Sequence, residues 1–153
     1  MAVPDVVPIA HEPGYRTDTI GWYTGGQFYA AIHGARRDDD QEPDLGRDRV
    51  RWYVYLHLFD AEGRHVRSEI SLSGIAPYLW GQLREDSQAR LSYLLDQLPG
   101  RKWGDIAVQP FHVLYDGVTF ALVDQSDAER GDWCELYPDQ LGFSQPWDGT
   151  YST

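Results

Sequence analysis

Between Arg49 and Asp60 the chain alternates strictly, with Trp52, Val54, Leu56 and Leu58 on one side and Tyr53, Tyr55, His57 and Phe59 on the other. Successive side chains of an extended chain point to opposite faces, so this period of two predicts a strand, and the strongest one in the sequence. Before it, the stretches 17–24 and 27–34 are rich in aromatic and branched residues and meet at Gly25-Gly26, which tolerates the positive φ of a two-residue hairpin turn. After it, a loop of about five residues containing Gly63 returns the chain into a strand over 65–72, where Val66, Ile70 and Leu72 share a face.

Matching faces gives a register, because a slip of one residue exchanges the two sides of a strand. Leu58 opposite Val66 sets Val54 opposite Ile70 and Trp52 opposite Leu72, all apolar pairs. The same register sets His57 opposite Arg67, Tyr55 opposite Glu69 and Tyr53 opposite Ser71. One side of the strand pair is then expected to be buried, and the other to be aromatic and charged.

Two helical stretches follow, 77–84 and 86–98, or one interrupted helix; Leu91, Leu94, Leu95 and Leu98 recur at three- and four-residue spacing behind Asp86 as a cap, and Pro99-Gly100 ends the segment. Strands over 105–115 and 118–125 flank Asp116-Gly117, a strong hairpin signal that aligns Tyr115 with Val118, Val113 with Phe120 and Phe111 with Leu122. From residue 126 the chain is polar, with Trp133, Leu136, Leu141, Phe143 and Trp147 at irregular spacing, and is expected to lie as an extended cover over a sheet edge or helix. The expected fold is α+β: a predominantly antiparallel sheet of about six strands, with the helical segment 77–98 packed on one face. Residues 1–153 read as one domain, with a mobile acidic surface loop at 35–48.

Composition narrows the functional classes. The 153 residues carry a net charge of −11, which argues against a nucleic-acid partner, since phosphate binding depends on Lys and Arg. Twelve of the thirteen basic residues are Arg, and Asp outnumbers Glu by seventeen to seven, a skew expected of a GC-rich bacterial genome. No apolar run approaches a bilayer span and the N-terminus lacks a signal pattern, so the expectation is a cytoplasmic protein with no membrane association. Cys134 is the single cysteine, flanked by acids that disfavour a thiolate.

No catalytic or cofactor motif stands out. The five histidines form no HExxH pattern; His57 and His65 fall on one hairpin face, but no third ligand is assigned and Arg67 would repel a cation, so neither a metal nor a cofactor is expected. The candidate binding residues are Tyr29, Tyr53, Tyr55, His57, Arg67 and Glu69, because aromatic rings mixed with charged groups mark recognition surfaces.

The stretch from Glu12 to Gly21, with His57-Leu58-Phe59-Asp60, Gly104-Asp105-Ile106-Ala107 and Pro146-Trp147-Asp148-Gly149-Thr150, resembles a family of small acidic actinobacterial proteins often labelled formate hydrogenlyase regulatory protein. The resemblance spans nearly the whole chain and implies no catalytic residues. The expected function is a non-catalytic interaction protein, a regulator, inhibitor or immunity-type protein, that meets a basic protein partner through an acidic, aromatic surface. The alternative is a small-molecule enzyme or ligand-binding domain, with a pocket between sheet and helix lined by Tyr53, Tyr55 and His57.

Overall fold

A computed structural model describes residues 3–37 and 50–153. The chain runs through β1 (Val7–Ile9), β2 (Ile20–Tyr23), β3 (Gly26–Ala35), β4 (Val50–Phe59), β5 (His65–Ala76), α1 (Gly81–Asp96), β6 (Lys102–Trp103), β7 (Ile106–Val108), β8 (Phe111–Tyr115), β9 (Val118–Asp124), β10 (Cys134–Tyr137) and β11 (Leu141–Phe143). The α+β class stands, with every strand pairing antiparallel, but about six strands becomes eleven in three sheets among the described residues. Of the loop expected at 35–48, Ala35 ends β3 and 38–48 lie outside the described residues.

The central sheet has the order β5-β4-β3-β2-β6. Both of its faces are covered, which explains why β4 is apolar on both sides. On one face, Phe28, Ala30, Val54, Leu56 and Leu58 pack against Leu94, Leu95 and Leu98 from the end of α1 and just beyond it. Trp52, expected in that core, is only half-buried and donates its indole N–H to Ala76 O at 2.9 Å. On the other face, Tyr29, Tyr53, Tyr55 and Phe59 pack against Phe111, Val118, Phe120, Leu122, Leu136 and Phe143 of a second sheet, ordered β11-β10-β9-β8. The domain is therefore a helix, a sheet and a second sheet in three layers. At roughly 1.5–3 kcal/mol per enclosed large apolar side chain, both interfaces contribute substantially to stability.

The second sheet is where the expectations needed most revision. The segment after residue 126, expected as a cover, supplies two of its strands: β10 pairs with β9 and β11 with β10. The stretch 105–115 divides into β7 and β8 at Gln109-Pro110, since proline has no N–H to continue a ladder; β7 then pairs with β1 and β8 with β9. The β8–β9 register is the one read from Asp116-Gly117, with Tyr115 opposite Val118 and Phe111 opposite Leu122.

Two other registers shift by one residue. The first hairpin turns at Thr24-Gly25 rather than Gly25-Gly26, because Gly26 belongs to β3: a Cβ there would lie 2.2 Å from the Phe59 carbonyl oxygen. In the β4–β5 hairpin, Phe59 faces His65 as expected, but the next pair is Leu58 with Arg67. Val66 is thus the extra residue of a β-bulge, and it points to solvent at 61% exposure. Past the bulge, Leu56 faces Glu69, Tyr55 faces Ile70 and Tyr53 faces Leu72.

The helical stretch is one helix, shorter than expected. Residues 77–80 are not helical, Trp80 is extended at the N-cap without a side-chain cap bond, and Gly81 has φ +57°. Asp86, expected as a cap, lies inside the helix and accepts a hydrogen bond from Gln82 Nε2 at 2.8 Å. No helix among the described residues is long and apolar enough to cross a membrane.

Candidate functional sites

The shifted register divides the six residues singled out from the sequence. Tyr29, Tyr53, Tyr55 and His57 do come together, but between the two sheets, where all four are fully or almost fully buried. Arg67 and Glu69 pair with Leu58 and Leu56, and so belong to the opposite face of the sheet, at its β5 edge, with their charged ends 3.6 Å apart. The bulge at Val66 is the cause, because one added residue sends the side chains of β5 from Arg67 to Leu72 to the other face, until a second register shift between Tyr53 and Trp52.

The buried tyrosines are fixed by two carboxylates from the second sheet. Tyr29 donates its hydroxyl to Asp139 Oδ2 at 2.8 Å; Tyr55 interacts with the same carboxylate without completing a hydrogen bond, and both its hydroxyl and Asp139 Oδ1 are buried without a partner. Tyr53 donates to Asp116 Oδ2 at 3.2 Å, and the same side chain receives Arg37 Nη2 at 2.8 Å and has Arg51 Nη1 at 3.6 Å. Burial first, and the facing Asp139 second, raise the Tyr29 and Tyr55 phenols well above their usual value. Burial and Asp116 push Tyr53 up to about 12. All three phenols stay neutral, and those of Tyr29 and Tyr53 donate across to the second sheet.

Beside them lies a chain of three polar groups. The Ser68 hydroxyl stands 2.6 Å from His57 Nδ1 and 2.8 Å from His65 Nε2, hydrogen-bonded to both rings. A serine beside an imidazole has the form of a nucleophile and its base. Here, however, His57 is enclosed by the rings of Tyr55, Phe111 and Phe120, and neither imidazole contacts an orienting carboxylate. Burial pushes His57 down to about 3 and lowers His65 as well. The three groups read as a polar cluster reaching inward to His57, whose Nε2 is buried without a partner.

Cys134 is fully buried; burial, and then Asp124 rather than its sequence neighbours, pushes the thiol up to about 12. Among the described residues, no three His, Cys, Asp or Glu side chains converge as metal ligands.

Two accessible features were not legible as sites in the sequence. The first is the connection from β5 to α1, where Tyr78 is 74% and Trp80 70% exposed, with Ile75 half-exposed just before them. Read as part of a helix over 77–84, Tyr78 and Trp80 carried no surface signal. The second is a cleft of about 230 Å³ along β3 beyond the end of β2, lined by Arg16, Ile32, His33, Leu91 and Asp139 among others. Arg16 Nη2 donates there to His33 Nε2 at 2.9 Å and to the Asp139 carbonyl oxygen. Since a guanidinium can only donate, His33 Nε2 accepts, and its Nδ1–H donates to Gly34 O at 2.7 Å. Only spatial convergence could have revealed this group, whose members lie up to 123 residues apart.

No protein-family model matches the chain, and no match was found among curated proteins or among solved structures.

Proposed function

We propose that this is a non-catalytic interaction protein, of the regulator, inhibitor or immunity type, that binds a basic protein partner through the exposed corner at Tyr78 and Trp80. The observation that carries the reading is the contrast in aromatic exposure. Tyr29, Tyr53, Tyr55, Phe28 and Phe59 are all enclosed, whereas Tyr78 and Trp80, the most exposed of the large apolar side chains among the described residues, stand together on a short connection beside the edge strand β5. Trp and Tyr are the side chains that most often anchor interfaces, since each offers a large rigid area at small conformational cost.

Charge supports the partner's chemistry. The net charge of −11 favours approach of a cationic surface, and the first two turns of α1, directly after Trp80, carry Glu85 and Asp86 against the single Arg84. Arg or Lys side chains of such a partner can also stack on the exposed rings. A second copy of this chain brings the same negative charge, and is disfavoured for that reason.

The test is affinity capture at low and high salt, followed by affinity measurements with the purified captured protein. Trp80→Ala is expected to weaken binding by about 2 kcal/mol, roughly thirtyfold, while Tyr93→Ala on the exposed side of α1 leaves it unchanged. Binding that ignores both Trp80→Ala and salt contradicts the reading.

A further inference from the structure

We infer that the Arg16 cleft is a binding site for a small monocarboxylate with an apolar body. The site is independent of the Tyr78–Trp80 corner. It begins where β2 ends: Ile20 faces Tyr29, and β3 runs on to Ala35 without a β2 partner. The segment before β2 meets the β3 edge at Ala30 and is otherwise held by its own contacts. Thr17 Oγ1 donates to Ala10 O at 2.7 Å, Gly14 N to Asp18 Oδ1 at 3.0 Å, Ala30 N to Thr19 O at 3.0 Å, and Thr19 Oγ1 to Ala30 O. Arg16 is therefore presented by a fixed loop.

Its electrostatic situation points to an anion. Arg16 is half-buried in a chain with twenty-four acidic residues, yet among the described residues it forms no ion pair; its two acceptors, His33 Nε2 and the Asp139 carbonyl, are neutral, and both bond to Nη2. Nε and Nη1 keep N–H groups for a ligand. A second donor lies on the strand edge. The N–H and C=O of Ala30 point toward the side β2 occupies, and strand alternation directs those of Ile32 the same way, into the cleft it lines. One carboxylate oxygen can take a guanidinium N–H and the other the Ile32 amide, both charge-assisted bonds.

Charge number and size restrict the ligand further. Asp18 and Asp139 also line the cleft, so a monoanion meets less repulsion than a phosphate dianion. The side chains of Ile32 and Leu91 offer apolar contact to the remainder of the molecule. At roughly 30 Å³ per water-sized unit, a cleft of about 230 Å³ holds on the order of eight non-hydrogen atoms. Benzoate and hexanoate are of this size.

The experiment follows backbone amide resonances of the whole chain during titration with sodium benzoate, sodium hexanoate, benzamide and benzylammonium. Saturable shifts at Thr19, Ile32 and His33 with at least one of the two carboxylates are expected, together with no saturation by benzamide or benzylammonium. Arg16→Gln should weaken that binding at least about tenfold with the remaining spectrum preserved, and Arg84→Gln should leave it unchanged. If Arg16→Gln unfolds the chain, Arg16→Lys, which keeps the charge, takes its place and should retain weakened binding at the same amides. The inference is overturned if neither carboxylate saturates, if the neutral or cationic probe binds equally well, or if the folded Arg16 variant binds as tightly as the natural chain.

Discussion

The phenol of Tyr29 on β3 donates to the carboxylate of Asp139 at 2.8 Å, with both residues buried and 110 positions apart in the chain. This contact joins the central sheet to the turn between β10 and β11. Tyr29→Phe leaves Asp139 enclosed with no completed hydrogen bond to either oxygen, and should cost about 1–3 kcal/mol. Tyr55→Phe removes a hydroxyl that completes no bond and should cost less. Urea unfolding of the two variants checks the order.

His57 gives the domain a pH dependence. Burial holds its pKa down to about 3 in the folded chain, against about 6.5 when unfolded. Between those values the unfolded chain binds the proton and the folded chain does not. Its contribution is complete above the unfolded value and declines as pH falls toward about 3, by about 1.4 kcal/mol per pH unit. The lowered His65 acts in the same direction. Unfolding free energy should therefore be about 2 kcal/mol smaller at about pH 5 than at neutrality. A profile that stays flat over this interval would show that His57 is not enclosed.

Val66 separates the two registers of the β4–β5 hairpin. Opposite Leu58 in a buried pair, it would contribute roughly 1.5–3 kcal/mol; as the solvent-facing residue of a bulge, it contributes little. Val66→Lys should accordingly change stability by less than about 0.5 kcal/mol in a thermal or urea melt.

Gly21 lies where β6 crosses closest to β2. A Cβ there would stand 1.9 Å from the Lys102 carbonyl oxygen, a backbone atom that cannot yield without moving β6. Gly21→Ala should cost about 1–3 kcal/mol, while Gly104→Ala, with nothing within 4 Å of the added carbon, should be close to neutral. Equal melting temperatures for the two variants would contradict the β2–β6 pairing.

These residues also show what the sequence could disclose. The β8–β9 register was readable because Asp116 and Gly117, with φ of 54° and 77°, fix a two-residue turn and leave no freedom to the flanking pairs. The β4–β5 register failed because a bulge carries no compositional mark: Val66 looks as apolar as the residues it separates. Strands of two to four residues, such as β1, β6, β7, β10 and β11, are too short for a period to register. The face carrying Tyr29, Tyr53, Tyr55 and His57 was recognised as one surface. Its covering could not be, since the acids that lock it, Asp139 and Asp116, become its neighbours only when the second sheet docks.

Mapping tyrosine accessibility by tetranitromethane nitration and peptide mass analysis on the folded chain tests the central claim, that the aromatic face of β3 and β4 is interior while the corner before α1 is exposed. Tyr78, Tyr15 and Tyr93 are expected to react readily, with Tyr29, Tyr53 and Tyr55 protected until the chain unfolds. Nitration of Tyr55 at the rate of Tyr78 in the folded protein would contradict the account.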